Sequence, residues 1–176
     1  YIAKAKINLK EDYHITFAQP HDLEQIAAIN NAVIQKSTAN YDWEIHPQAY
    51  YVEWFRTKEE LNQPVLVAKT ENEVLGFGTY SQFRNKQGYQ FCMEHSVYVK
   101  DDCQGKGVGS ALLSRIIDYA KKQQIHVLIA GVDTSNESSI RFHQRFGFEV
   151  VGEMKQVGRK FDRWLDLTFL QLIVSK

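Results

Sequence analysis

Three glycines stand at alternate positions in Gln104-Gly105-Lys106-Gly107-Val108-Gly109-Ser110, between a strand-like run and a helix-like one. Closely spaced glycines let several backbone N–H groups converge on one anion, and the positive end of a following helix adds to them. The turn therefore suits a phosphate or pyrophosphate. A purely structural strand-to-helix turn would use the same glycines, and the glycines alone leave both readings open. A nucleotide triphosphatase loop needs Gly-Lys followed by Ser or Thr, whereas Lys106 is followed by Gly107, and a dinucleotide fold carries its fingerprint after an early strand. Metal chemistry has no comparable signal: Cys92 and Cys103 are not at ligand spacing, and the six histidines are scattered. No metal is expected, and both cysteines read as free thiols of a reducing cytoplasm.

The turn needs a strand before it and a helix behind it. Alternation from about Tyr89 to Val99 puts Phe91, Met93, Val97 and Val99 on one face and Cys92, Glu94, Ser96 and Tyr98 on the other, with the turn directly after. Val108, Leu112, Ile116 and Tyr119, backed by Leu113, Ile117 and Ala120, make an amphipathic helix. Upstream, a short strand at His14–Ala18 precedes a helix from Pro20 to Gln35, then a polar loop at Ser37–Asp42. A second helix follows Pro47 and carries Tyr50, Tyr51, Trp54, Phe55 and Leu61. Val65–Ala68 and Val74–Tyr80 flank Glu71-Asn72-Glu73 as an antiparallel hairpin. Downstream come a strand at Ile125–Val132, a helix at Asn136–Phe146 ended by Gly147, and strands at Phe148–Val151 and Arg163–Val174.

At 176 residues, with strands and helices alternating and no repeat or long linker, the chain reads as one α/β (α+β) domain from residue 13 to 176 behind a polar lead at 1–12. Lys plus Arg and Asp plus Glu both total 21, so no overall field favours nucleic acid or an anionic membrane. No apolar run approaches the roughly 20 residues of a membrane span, and the start lacks the core of a secretory signal. The chain opens on Tyr1 rather than Met, so native residues are expected before it.

Four separated segments carry a resemblance. The Gln104–Ser110 loop resembles the pyrophosphate-binding Gln/Arg-x-x-Gly-x-Gly/Ala loop of the GNAT acetyltransferases. Together with Glu94-His95-Ser96-Val97-Tyr98-Val99, Ser139–Phe148 and Val157–Asp166, it is similar to the phosphinothricin and methionine sulfoximine acetyltransferase family. The early Ser37-Thr38-Ala39 loop extends the likeness to nearly everything from Tyr13 onward. It implies a GNAT fold with a twisted mixed sheet of about seven strands flanked by helices. It also implies acetyl-CoA as co-substrate and a homodimer.

The resemblance further implies that Val97, Tyr98 and Val99 offer backbone groups to the pantetheine arm, that Gln104–Ser110 holds the pyrophosphate, and that Asn136 contacts the cofactor. Asn136 is equally suited to capping its helix. Amide formation from a thioester requires a neutral amine, so a base is needed, and Glu94 lies beside the implied thioester channel. An exposed or ion-paired strand Glu is the plain alternative. His143 stands where many relatives carry a Tyr and this family a His. It reads as general acid, as an orienting group or relay for Glu94, or as a structural helix residue. Direct attack in a ternary complex is expected. A covalent acetyl-cysteine at Cys92 is the rival route.

The acceptor is expected to be the α-amine of a small glutamate- or methionine-like amino acid such as L-phosphinothricin, L-methionine sulfoximine or L-methionine sulfone. Gln87-Gly88-Tyr89, with Arg84 or Lys86 before it, is implied as one wall, and Thr38 and Tyr41 as another. Arg84 and Lys86 also fit a solvated hairpin loop, and Tyr41 a packing anchor. Trp164 is expected in the core. Acetylation of peptide or protein amines and a non-catalytic acyl-CoA-sensing module are the competing readings.

Overall fold

Unbroken apolar runs such as 65–68 and 74–80 belong to strands covered on both faces. In the computed structural model, which describes residues 13–174, β2 (Val65–Lys69) and β3 (Val74–Gln82) form the expected antiparallel hairpin, almost entirely buried. β1 (His14–Phe17) adds to β2, and the sheet continues through β4 (Cys92–Val99), β5 (Val127–Asp133), β7 (Arg163–Ile173) and β6 (Glu149–Lys160). This is a seven-stranded mixed sheet in which only β4 and β5 run parallel. The polar lead at 1–12 lies outside the described residues.

Helices cover both faces. α3 (Val108–Lys122) turns Val108, Leu112, Leu113, Ile116 and Ala120 onto Leu66, Ala68, Leu75 and Leu128, while Ser114, Arg115 and Asp118 stay in solvent. Each fully buried Val, Leu or Ile side chain there contributes on the order of 1.5–3 kcal/mol. On the other face α1 (Leu23–Lys36), entered through a short 3₁₀ turn at Pro20–Asp22, and α2 (Gln48–Glu60) pack Leu23, Ile26, Ile29 and Phe55 on Val65, Val67 and Phe77. Asn30 donates to Tyr51 Oη at 2.8 Å and ties α1 to α2. The buried Lys58 ammonium donates to the Tyr80 carbonyl at 2.7 Å and pins α2 to β3. α4 (Glu137–Arg145) completes the first face, and no helix among the described residues is long and apolar enough to cross a membrane.

Several expectations shift. β4 begins at Cys92 rather than Tyr89: Gln87–Tyr89 forms a 3₁₀ turn, so Phe91 leaves the alternation and is 52% exposed. A third 3₁₀ turn, Asp101–Cys103, separates β4 from the glycines. β6 runs to Lys160 rather than stopping at Val151, because β7 supplies pairing partners along an edge that sequence polarity conceals. Leu61 is exposed at the end of α2. Trp164 is 59% exposed rather than core, with the Arg159 guanidinium 5.5 Å from its ring centroid near the tip of the β6–β7 hairpin.

Candidate active site

Parallel pairing of β4 with β5 covers only Cys92↔Val127, Met93↔Leu128 and Glu94↔Ile129. Beyond Glu94 both strands keep their outer neighbours: β4 stays on β3 as far as Val99, and β5 stays on β7 as far as Asp133. The sheet therefore splits between them. Successive residues of a strand offer their N–H and C=O groups to alternate sides, so part of the inner edge of His95–Val99 has no strand to receive it. A cavity of about 750 Å³ fills the split, lined by residues 95–99 of β4, 130–133 of β5, the glycine turn and α4.

The glycine turn closes one end. Gly105 and Gly107 adopt φ of +73° and +85°, a region that L side chains enter at a cost of roughly 1–2 kcal/mol. A Cβ at either position would meet nothing within 4 Å, so these glycines serve backbone geometry and open approach rather than tight packing. No side chain caps α3, and Ala111 is the first to reach the Gly107 carbonyl, at 3.0 Å. The N–H groups of Val108, Gly109 and Ser110 thus have no intrahelical acceptor. Gln104, Gly105, Gly107, Gly109 and Ser110 line the cavity, as do Val97, Tyr98, Val99 and Asn136, whereas Lys106 is exposed outside it. The Val108 side chain is buried in the core, leaving only its backbone to offer. Asn136 Oδ1 accepts from the Ser139 N–H at 3.1 Å, so it caps α4 while also lining the cavity.

Glu94 stands at the apex of the split. Pleating sends Met93 and His95 into the α3 side and leaves Cys92 and Glu94 half-buried on the opposite face. A Cβ built on Gly131 would come within 3.1 Å of Glu94 Oε2, with Leu167 and Phe169 next nearest, so a glycine on β5 makes room for the carboxylate. Burial raises the Glu94 pKa above the usual carboxylate range. Burial, then the neighbouring Glu94 charge, pushes the Cys92 thiol up as well, which makes it a poor nucleophile. An aromatic chain leads outward: Phe169 meets Phe83 edge-on at 5.8 Å and Phe83 meets Tyr89 at 6.2 Å.

His143 lies on the other face. Its Nδ1 is 2.7 Å from the Ser139 carbonyl and its Nε2 is 3.0 Å from His95 Nε2, with Phe148 packed against both rings. Burial lowers its pKa against the pull of the Ser139 carbonyl, so the ring rests neutral. No hydrogen bond among the described residues joins His143 to Glu94 or Cys92. A direct relay between His143 and Glu94 is therefore absent from this arrangement, because the two side chains leave opposite faces of the sheet.

The loop after α1 bridges the split. Thr38 Oγ1 donates to Asp133, Tyr98 Oη to the Ala39 carbonyl at 3.4 Å, and Tyr41 Oη to the Asp166 carbonyl at 3.2 Å. Lys160 Nζ donates to the Asn40 carbonyl at 2.6 Å and Trp43 Nε1 to the Arg159 carbonyl at 2.7 Å. Burial pushes the Asp133 carboxyl upward, but hydrogen bonds from Thr38 and Ser135 together hold it below its usual value. Arg84, Lys86, Gln87, Gly88 and Tyr89 are exposed and stand outside the cavity. Gln82 Nε2 orders their loop by donating to the Arg84 and Lys86 carbonyls. Sequence pattern alone does not mark His95, Gly131 or Asp133 as site residues. Asp133 carried a local signal, an acid two residues before Ser135, whose N–H it accepts at 2.9 Å. His95 carried none beyond standing beside Glu94.

Residues 28–148 match the Acetyltransferase (GNAT) family. The chain is 44% identical over 152 residues to the L-methionine sulfoximine/L-methionine sulfone acetyltransferase of Pseudomonas aeruginosa, covering 86% of this chain and 88% of that protein. Among solved structures, a ribosomal-protein-alanine N-acetyltransferase from Brucella melitensis superposes with a TM-score of 0.90 at 38% identity, covering 91% of this chain and 99% of that one. A GNAT phosphinothricin acetyltransferase from Sinorhizobium meliloti, in complex with acetyl-CoA, superposes at 0.88 and 32% identity, covering 92% and 88%. The split sheet, the uncapped glycine turn and this breadth of similarity lead to one conclusion: the chain is an acetyltransferase of the GNAT family.

Proposed function

We propose that the protein transfers the acetyl group of acetyl-CoA to the α-amine of a small glutamate- or methionine-like amino acid. The candidates are L-methionine sulfoximine, L-methionine sulfone and L-phosphinothricin, so that it detoxifies antibiotic-like glutamate analogues. The observation that carries this reading is the parting of β4 from β5 immediately after a burial-raised carboxylate, with backbone donors left free along the split and at the α3 N-terminus. These groups fit the two ends of the cofactor. An uncapped, glycine-lined helix start suits a pyrophosphate, and an unpaired strand edge suits the amide-bearing pantetheine arm. Acetyl-CoA, when bound, supplies an activated thioester.

The chain's own residues do the rest. Gln104–Ser110 hold the pyrophosphate through backbone N–H groups, Val97, Tyr98 and Val99 align the arm, and Asn136 steadies the wall opposite. Glu94 takes the proton from the incoming amine, directly or through water. Its raised pKa makes it a stronger base than an ordinary carboxylate. His143 manages the proton on the leaving side of the same cavity. Arg84 or Lys86 meets the amino acid carboxylate, Gln87, Gly88 and Tyr89 wall its side chain, and Thr38 and Tyr41 close the pocket from the bridging loop. Low nucleophilicity at Cys92 favours direct attack over an acetyl-cysteine.

The apolar side chains Val150, Val151, Met154, Val157 and Trp164, all 41–59% exposed, lie along the edge strand β6 and its β7 partner and favour a two-fold dimer. Its test is the solution mass, expected to fall to that of one chain in Trp164→Glu. Free cysteines fit a cytoplasmic location. Peptide-amine acetylation is a second reading, favoured by the likeness to the ribosomal-protein-alanine enzyme. Steady-state acetylation of the three amino acids, a lysine peptide and an N-terminal alanine peptide separates them. Turnover of the amino acids is expected. Turnover of peptides alone would overturn the substrate reading, and acetyl-CoA binding without turnover would identify a sensing module.

A further inference from the structure

The bridging loop at 38–43 is fastened in two places. At the split, Thr38 donates to Asp133 and Tyr98 to the Ala39 carbonyl. Its far half is held by the β6–β7 hairpin, where Lys160 Nζ donates to the Asn40 carbonyl, Tyr41 Oη to the Asp166 carbonyl and Trp43 Nε1 to the Arg159 carbonyl. Asp166 joins the two fastenings. Its carbonyl, which receives Tyr41, also accepts the Thr134 N–H at 3.0 Å, one residue from Asp133. Its carboxylate accepts the Gln156 N–H at 2.8 Å, inside a bulge where Lys155, Gln156 and Val157 stand opposite Asp166 alone. A bulge bends and re-aims its strand, and this one delivers Gly158 to the Tyr41 ring.

A Cβ on Gly158 would meet Tyr41 Cε2 at 2.5 Å and Cδ2 at 2.6 Å, the closest approach at any of the ten glycines. The backbone itself does not ask for glycine. Positive φ belongs to Gly105, Gly107 and Gly147, whereas Gly158 pairs with Leu165 in the β6–β7 ladder. A glycine inside a strand weakens it through conformational entropy, so what it contributes here is the space the ring fills. Burial, then the Asp133 and Asp166 charges, raises the Tyr41 pKa, so its hydroxyl stays a proton donor to the hairpin. We propose that Gly158 is a positioning residue for the acceptor: by lacking a Cβ it seats the Tyr41 ring and keeps the loop drawn across the split, without touching the amino acid. This rests on the reading that Thr38 and Tyr41 close the acceptor pocket. Acceptor affinity is thus set in part from the hairpin, while the cofactor is held by the main chain of the turn and of β4.

The test is a double-mutant cycle of Gly158→Ala and Tyr41→Ala in the full chain, read by steady-state acetylation of L-methionine sulfoximine and by amide hydrogen exchange. Gly158→Ala should raise the amino acid KM about tenfold, about 1.4 kcal/mol, with kcat and the acetyl-CoA Kd within about threefold. Exchange over residues 37–46 should quicken in that variant while α3 keeps its protection. Tyr41→Ala has already lost the ring. Adding Gly158→Ala to it should change KM by less than about twofold, because residues that act through one contact are not additive.

The full effect of Gly158→Ala persisting in the Tyr41→Ala background would overturn the proposal, showing that the new methyl group disturbs the hairpin and not the ring. So would an unchanged KM or unchanged exchange over 37–46 in Gly158→Ala. A loss of acetyl-CoA affinity equal to the rise in KM would overturn it as well, since the loop would then serve the cofactor. Failure of the amino acid reading looks different: the wild type would turn over no free amino acid, while Gly158→Ala still quickens exchange over 37–46.

Discussion

The two sides of β4 are built from different materials. Toward α3 and α4, the split is lined by main chain: strand edges left unpaired beyond Glu94, an uncapped helix start, and glycines at φ of +73° and +85°. Toward α1 and α2, the neighbourhood of Glu94 is assembled from side chains that converge from distant segments, with Leu167 and Phe169 beside it and Phe83 and Tyr89 further out. Main-chain chemistry is local and tolerates sequence change around it, which suits a co-substrate that never varies. Convergent side chains can be exchanged one at a time, which suits an acceptor that differs between relatives.

If that division is correct, substitutions should fail on one side at a time. The largest effect belongs to Glu94→Gln. Removing the base should lower kcat/KM for the amino acid by about 10²–10⁴-fold while the acetyl-CoA Kd, from calorimetry, stays within about threefold. A matching loss of acetyl-CoA affinity would break the comparison. Next comes Gly107→Ala, where forcing a Cβ into φ +85° costs about 1–2 kcal/mol and should weaken acetyl-CoA binding about 5–30-fold with the amino acid KM unchanged. Gly131→Ala sits on the boundary. The new methyl group would press on Glu94 Oε2 at 3.1 Å, and because a flexible carboxylate can yield, a cost of about 1 kcal/mol and a fivefold lower kcat are expected. The smallest effect is at Cys92→Ala, where steady-state rates should equal the wild type. A substantial loss there would revive the acetyl-cysteine route.

The same division explains what could be read beforehand. The turn, α3 and the β2–β3 hairpin rest on near-neighbour patterns, and all three stand as the spacing predicts. His95 escaped notice because its partner is 48 residues away on another element, and Gly131 because its function is to lack a Cβ near a side chain from the adjacent strand. β6 was missed beyond Val151 because an edge strand with both faces wet loses the alternation that marks a half-buried one. Trp164 departs from the core expectation for a related reason. Aromatic size argues for burial only where a core lies opposite, and at the tip of the β6–β7 hairpin there is solvent and Arg159. Arg84 and Lys86 are exposed in the described loop and outside the cavity, so residue type and not enclosure carries their assignment to the acceptor carboxylate.

Deprotonation of the acceptor by Glu94 is the central claim, and the pH dependence of kcat/KM for L-methionine sulfoximine at saturating acetyl-CoA tests it most directly. A base works only when ionised, so the rate must rise with pH through the Glu94 pKa. Burial places that rise above the ordinary glutamate value of about 4.3, separate from the higher limb that belongs to the substrate amine. The account predicts that Glu94→Gln removes the lower limb and keeps the upper one. An unchanged lower limb in that variant would contradict it.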